Sequence, residues 1–380
     1  KNMKIAVVAD WLTNQGGAEN VVWDIMQAFP DADLFTSIYN EKKLPQFAKY
    51  KPITSFINNL PFAKNKHQLY LGLMPYAFES FDFSDYDIVI SSNFACSKAV
   101  VTKVETLHIC YCHTPMRYVW GDYIDFIKRY KLPQFVKFLA KPILHKIRMF
   151  DYLTAKRVDK FIANSSYIQR RISKFYKEDS IVLNPSREDP IKTQQAIQEF
   201  VNTDFYLAIG RLTSHKRFDL TIQAFNKSQK TLIVAGDGAM LPQLKKMNIN
   251  PNTHFLGFVS KQERAWLYRN AKALIFPQNE DFGITPIEAH SYGCPVVALE
   301  SGGVLDTVDK TNGVLFKVQT VKSINNAIDK LEKSKFNKQQ IIEENLKFSS
   351  ENFQKKLKQI IQKEYDTHKK IYCRSTSTHK

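Results

Sequence analysis

The chain has 380 residues, 44% of them hydrophobic, and a formal net charge of +17. That length exceeds one ordinary core and suits two domains. No apolar run reaches the roughly 18 residues of a transmembrane helix, and the N-terminus enters a strand-like run at Met3-Lys4-Ile5-Ala6-Val7-Val8 without the apolar leader of a signal peptide, so the expected location is the cytoplasm.

The first half alternates short strand-like runs at 4–9, 34–38, 88–91, 107–111, 161–163 and 181–183 with helix-length amphipathic stretches such as 18–28. Each run is rich in Ile, Val, Leu or aromatics, as buried parallel strands are. After the first comes Gly16-Gly17-Ala18-Glu19, a glycine turn opening a helix. It lacks the G-x-G-x-x-G fingerprint of dinucleotide binding, which argues against a nicotinamide-dependent oxidoreductase. Cys110 and Cys112 share one face of the run at 107–111, with no second pair at metal-ligand spacing, so they read as reduced core thiols. His113 follows that run at once; a strand end in an α/β domain is a place for either a structural or a ligand-facing imidazole.

Residues 126–175 hold thirteen Lys and Arg, opposed only by Asp151 and Asp159. Such a stripe attracts phosphate in a nucleic acid, an anionic lipid or a substrate, or is a solvated helix face. Within it, Phe135, Val136, Phe138 and Leu139 interleave with Lys137 and Lys141 in the manner of an interfacial helix. No nucleic-acid motif accompanies the charge, so no nucleic-acid partner is expected.

Residues 184–203, with Pro185, Pro190 and many polar side chains, read as an interdomain linker. Alternation then restarts, with runs at 205–209, 231–235, 253–256, 273–276, 296–299 and 314–316, and a lysine-rich helix closes the chain over 349–372. The expected organisation is α/β: two doubly wound, Rossmann-like domains, 1–188 and 200–348, facing each other across a ligand cleft, with the last helix packing back on the first domain.

Two segments of the second half carry chemistry. Gly210-Arg211-Leu212-Thr213-Ser214-His215-Lys216 leaves a strand with a bidentate fork and a point charge, suited to a diphosphate. Glu280-Asp281-Phe282-Gly283-Ile284-Thr285-Pro286-Ile287-Glu288 places two carboxylates around a helix start. Thr285 reads as the N-cap, Pro286 as the first helical residue and Glu288 as the third, a capping box whose amides would favour an anion.

Together, Glu280-x7-Glu288, Gly210-Arg211 with Lys216, Gly236-Asp237-Gly238 and Gly16-Gly17 resemble the retaining GT-B glycosyltransferases of family four, over nearly the whole chain. Asp10-Trp11-Leu12, Gly17-Ala18-Glu19, His113-Thr114-Pro115-Met116-Arg117-Tyr118 and Asp281 to Pro286 resemble, within that family, bacterial mannosyltransferases of O-antigen and polysaccharide synthesis that use GDP-mannose. The resemblance implies that Glu280 holds hydroxyls of the transferred sugar, Gly283, Ile284 and Thr285 amides with Phe282 hold sugar and phosphate, and Glu288 holds the ribose. Arg211 and Lys216 would grip the diphosphate, Gly17 would approach it from the first domain, and His113 would contact the sugar. Gly236, Gly238, Phe258 and Val259 would line the base pocket. Gly16, Asp10 and Arg117 would face the acceptor. The family's usual linker is replaced by Asn184-Pro185-Ser186-Arg187.

What is then expected is a hexosyltransferase without cofactor or metal, moving mannose to a lipid-linked or polysaccharide acceptor in bacterial surface glycan synthesis. Its partners are a nucleotide-sugar donor, a lipid-linked glycan and an anionic membrane surface, with the protein peripheral on the inner face. A departing nucleoside diphosphate needs its charge stabilised rather than a proton, and the carboxylates serve positioning. The alternatives are a UDP-sugar donor in the same fold, or a non-catalytic nucleotide-sugar-binding protein.

Overall fold

The computed structural model describes residues 3–117, 119–121 and 134–372. They form two units, Lys1–Pro185 with Phe353–Lys380, and Ser186–Asn352.

The first unit is built on seven parallel strands: β1 (Ile5–Ala9), β2 (Asp33–Thr36), β3 (Ile53–Thr54), β4 (Ile88–Asn93), β5 (Leu107–Cys112), β6 (Lys160–Ala163) and β7 (Ser180–Val182), in the order β3-β2-β1-β4-β5-β6-β7. Strand β1 is buried along its whole length because both sheet faces are covered. Its odd residues Ile5 and Val7 join one core with Leu34, Ile90 and Ile109, and its even residues Ala6 and Val8 join another with Phe35 and Val89. The helices are α1 (Gly17–Ala28), α2 (Met74–Glu79), α3 (Gln134–Ala155) and α4 (Ser166–Phe175). Strand β3 is the one that periodicity misses, since two residues at a sheet edge carry no pattern.

The second unit has six parallel strands: β8 (Phe205–Ile209), β9 (Thr231–Ala235), β10 (Thr253–Gly257), β11 (Leu274–Phe276), β12 (Val296–Leu299) and β13 (Gly313–Phe316), in the order β10-β9-β8-β11-β12-β13. Its helices are α5 (Phe218–Phe225), α6 (Leu241–Met247), α7 (Lys261–Asn270), α8 (Ile284–His290), α9 (Val321–Lys333) and α10 (Lys338–Asn345). The last helix, α11 (Ser350–Tyr372), returns the chain to the first unit. Phe353, Leu357, Ile361 and Tyr365 recur every four residues on it and enter the core of β1 and α1.

The stretch read as a linker is folded onto the second unit. Ile191 donates its amide to the Tyr292 hydroxyl at 3.1 Å and accepts from the Arg269 guanidinium at 2.6 Å. Phe200 is buried in the core with Phe205 and Trp266. Its polar composition misleads because these backbone groups find partners on α7 and the loop after α8 rather than in water.

The structure also moves the start of the helix before Glu288. Helix α8 begins at Ile284 behind Gly283, whose φ of +88° favours glycine, and no side chain caps it. Thr285 is therefore the second helical residue and Pro286 the third, and the capping box is not formed.

Candidate active site

In an open α/β sheet, ligands bind where the strand order reverses, outside the carboxyl ends of the strands. In the second unit that point lies between β8 and β11. The segment leaving β8 carries Arg211, which is exposed, and Lys216, at the end of a short 3-10 turn. The segment leaving β11 carries Glu280. Lys216 Nζ and Glu280 Oε1 meet at 2.8 Å, with side chains 18% and 20% exposed.

Glycines allow the surrounding segments to lie this close. Leu212 donates its amide to the Asp237 carbonyl at 2.9 Å, running the loops after β8 and β9 side by side. A Cβ at Gly236 would strike the Gly210 carbonyl and one at Gly238 the Leu212 carbonyl. Gly236 also donates to the Gly257 carbonyl at 2.6 Å. That bond joins Gly236 to the turn bearing Phe258, which is 89% exposed, and Val259, which packs partly against the core. Glu280 is seated on Gly302 and Gly303. Gly303 donates to the Glu280 carbonyl at 2.9 Å, and a Cβ on either glycine would run into the backbone of 280–282.

Phe282 points the other way. It is buried and packs on Ile287 and Phe348. It was expected at the donor, but its ring instead anchors the segment, leaving the amides of Gly283, Ile284 and Thr285 beside it.

Glu288 lies farther along α8, at a small recess lined by Glu188, Lys261, Arg264, Tyr268 and Tyr292. It accepts from the Tyr268 hydroxyl at 3.1 Å. Burial raises its carboxyl above the ordinary range, and the Arg264 guanidinium, the Tyr268 hydroxyl and the Lys216 ammonium oppose that rise. Lys261 and Arg264 are both paired with Glu188. Of these three neighbours of Glu288, only Lys216 was singled out in the sequence. Ser301-Gly302-Gly303, directly after a strand, was a legible signal; Arg264 and Tyr268, on an amphipathic helix, gave none.

The first unit places its expected residues at the ends of β1 and β5. Gly16 caps α1, Gly17 is its first residue, and a Cβ on Gly16 would come within 2.8 Å of Glu19 Oε2. His113 Nε2 lies 2.8 Å from Ser92 Oγ, and burial pushes its imidazole down to about 3, so the ring is neutral. Arg117 sits partly buried in the turn that follows.

Asp10 is not available to an acceptor. It is 1% exposed, and its two oxygens accept the amides of Phe94, Ala95, Cys96 and Ser97 at 2.6–2.9 Å. It shapes the loop after β4. Next to that loop, Lys98 and Asp151 form a fully buried ion pair, and Asp151 also accepts from Trp120 Nε1 and the Tyr176 hydroxyl. The pair fixes α3 to the loop after β4, and the Trp120 bond adds the turn after β5. Cys110 and Cys112 are buried free thiols packed with Phe161 and Tyr176, and burial pushes Cys110 up to about 12.

Of the basic stripe, Lys128, Arg129 and Lys131 lie outside the described residues. On the described part of α3, Lys141 and Lys146 are exposed beside Ile143, Met149 and Leu153. Among the described residues, no helix is long and apolar enough to cross a membrane.

Comparison with known proteins agrees with this geometry. The family model "Glycosyltransferase Family 4" matches residues 15–185, and "Glycosyl transferases group 1" matches 189–348. An alpha-1,3/1,6-mannosyltransferase, ALG2 of Dictyostelium discoideum, is 26% identical over 341 residues, covering 74% of this chain and 77% of the relative. Mannosylfructose-phosphate synthase of Agrobacterium fabrum is 29% identical over 128 residues, 29% of this chain and 28% of the relative. Among solved structures, HepE of Anabaena in complex with UDP superposes with a TM-score of 0.68 at 18% identity, covering 95% of this chain and 100% of that one. With one family matched by its first half and the other by its second, the chain is a GT-B glycosyltransferase, a member of the families that move a sugar from a nucleotide-sugar donor.

Proposed function

We propose that this glycosyltransferase is a retaining, metal-independent hexosyltransferase that moves mannose from GDP-mannose to a lipid-linked or polysaccharide acceptor in bacterial surface glycan synthesis. The observation that carries the reading is the Lys216–Glu280 pair at the reversal of the second sheet, with exposed Arg211 on the same loop. The two mannose-related relatives favour the sugar.

In this reading the diphosphate takes Lys216 and Arg211, so that charge growing on the leaving group meets cations already in place. Glu280, released from Lys216, accepts from hydroxyls of the sugar. Glu288 accepts from the ribose. Neutral His113 donates or accepts one hydrogen bond at the sugar without carrying charge. The acceptor oxygen attacks the face that the diphosphate leaves, and a phosphate oxygen takes its proton. The basic and apolar face of α3 brings the first unit to an anionic membrane, where a lipid-linked acceptor resides.

The second reading is a UDP-sugar donor, favoured by the UDP bound in the Anabaena relative. Thermal unfolding with each nucleotide sugar separates the two, since a ligand at 100 times its Kd adds about 2.7 kcal/mol. GDP-mannose should raise Tm more than UDP-glucose or UDP-N-acetylglucosamine; the reverse order overturns the donor assignment. Donor turnover should persist in EDTA. Loss there, restored by manganese or magnesium, overturns the role given to Arg211 and Lys216. Donor binding without any turnover on glycan acceptors would leave a binding protein only.

A further inference from the structure

The first unit carries a second basic and apolar stretch that the donor and acceptor roles do not use. From Lys42 to Phe78 there are six lysines and no Asp or Glu. Within it, Phe62, Leu69 and Tyr76 are 71%, 68% and 65% exposed, and Phe56 and Leu73 are also exposed.

These side chains stand out from a firmly built base. Leu60, Ala63, Tyr70, Leu71, Met74 and Phe78 enter one core cluster, which also takes Leu144, Ile147 and Phe150 of α3. The Tyr70 hydroxyl donates to the Pro61 carbonyl at 2.7 Å, holding the Phe62 turn against the turn at 67–70. Arg157, two residues past the end of α3, pairs with Glu79 of α2 at 2.7 Å. The stretch therefore shares its core with the buried face of α3.

Phe62 is the most telling residue. Its φ is +60°, a left-handed conformation that a bulky L-residue adopts at a cost. The ring is largely in solvent, with the Lys66 ammonium 5.9 Å from its centre. A strained backbone presenting an exposed aromatic ring, flanked by Lys64 and Lys66, fits insertion at a lipid headgroup boundary. The absence of acids across the stretch selects an anionic surface.

We infer that the segment around Phe62, Leu69 and Tyr76 is a lipid-docking surface that inserts apolar side chains into an anionic bilayer while Lys64 and Lys66 meet its headgroups. This rests on the membrane reading above and adds a second, aromatic contact to that of α3.

The test is co-sedimentation of the full chain with phosphatidylglycerol/phosphatidylcholine vesicles, comparing wild type with Phe62→Asn/Leu69→Ser and with Lys141→Ser/Lys146→Ser. Asn tolerates the left-handed backbone, so Tm should hold or rise. The apolar variant should lower the vesicle partition coefficient about tenfold, at both low and high salt, because burial of apolar groups is not screened. Sugar transfer to a soluble acceptor should be unchanged. If wild type ignores anionic vesicles at low salt, the membrane reading falls and this surface with it. If wild type binds, the α3 variant is released and the Phe62/Leu69 variant binds as wild type, this surface is overturned while the membrane reading stands. If the Phe62/Leu69 variant instead abolishes a concentration-dependent dimer and leaves vesicle binding intact, the surface binds a second copy and the inference is overturned.

Discussion

Lys216 and Glu280 meet at 2.8 Å between the segments that leave β8 and β11, the neighbouring strands at which the second sheet reverses its order. Asp10 stands at the matching place in the first sheet, after β1, where four amides of the loop after β4 occupy its carboxylate. Backbone amides close one reversal. The other is closed by an ion pair, which the diphosphate and a sugar hydroxyl of the proposed donor would exchange.

Replacing Lys216 with Ala should lower kcat by about two orders of magnitude, the scale for loss of one preorganised charge-stabilising group. Stability should fall by no more than about 1 kcal/mol, because a partly exposed pair contributes little. Release of nucleoside diphosphate and a urea titration measure the two effects. A large loss of stability with normal turnover would make the pair structural.

Tyr268→Phe removes a hydroxyl that donates to Glu288 and helps hold its carboxyl ionised. The carboxyl should rise further. With Glu288 in its proposed place at the ribose, donor affinity should then fail at a higher pH than in wild type as the solution is acidified. Donor Kd measured from pH 8 to pH 5 checks this; identical profiles would remove Tyr268 from the site.

Gly302 and Gly257 both have positive φ, at +86° and +68°, yet a Cβ has open space at Gly257 and strikes the Glu280 carbonyl at Gly302. Gly257→Ala should cost about 1 kcal/mol from backbone strain alone. Gly302→Ala should cost more and should also displace Glu280, reducing turnover at least tenfold. Comparing urea midpoints and kcat for the pair separates strain from collision.

His108 and His290 are buried, and burial lowers each to about 4. Unfolded, each binds a proton below about pH 6.5. Over the window from about 6.5 to 4 the unfolded chain holds more protons, so stability is full above that window and falls on acidification. His290→Gln, which can still donate to the Asn312 carbonyl, should flatten that fall by up to about 1.4 kcal/mol per pH unit. Urea midpoints at pH 7, 6 and 5 test it.

Much of the second unit was legible. Strands 205–209, 231–235 and 296–299 fall where their apolar runs predict, because buried parallel strands are written as continuous Val, Ile and Leu. The cations of the Arg211 loop and both carboxylates of the Glu280 segment were legible as residue types at strand ends. The roles of Asp10 and Phe282 were not. A carboxylate caged by four distant amides and a ring turned into the core read the same in sequence as ones facing a ligand. The 184–203 stretch misled for a related reason, since its polar groups bond to α7 and Tyr292, which sequence spacing does not bring near.

Helix α11 has a consequence for biosynthesis. The Ser186–Asn352 unit is contiguous in the chain, whereas the first unit needs Phe353, Leu357, Ile361 and Tyr365 to complete the core around β1 and α1. On the ribosome, the unit translated first must therefore wait until the second has emerged entire. Until α11 leaves the exit tunnel, the apolar seat beside α1 stays open to solvent and to chaperones, and a released chain truncated before residue 353 would carry a complete second unit behind an unfinished first one.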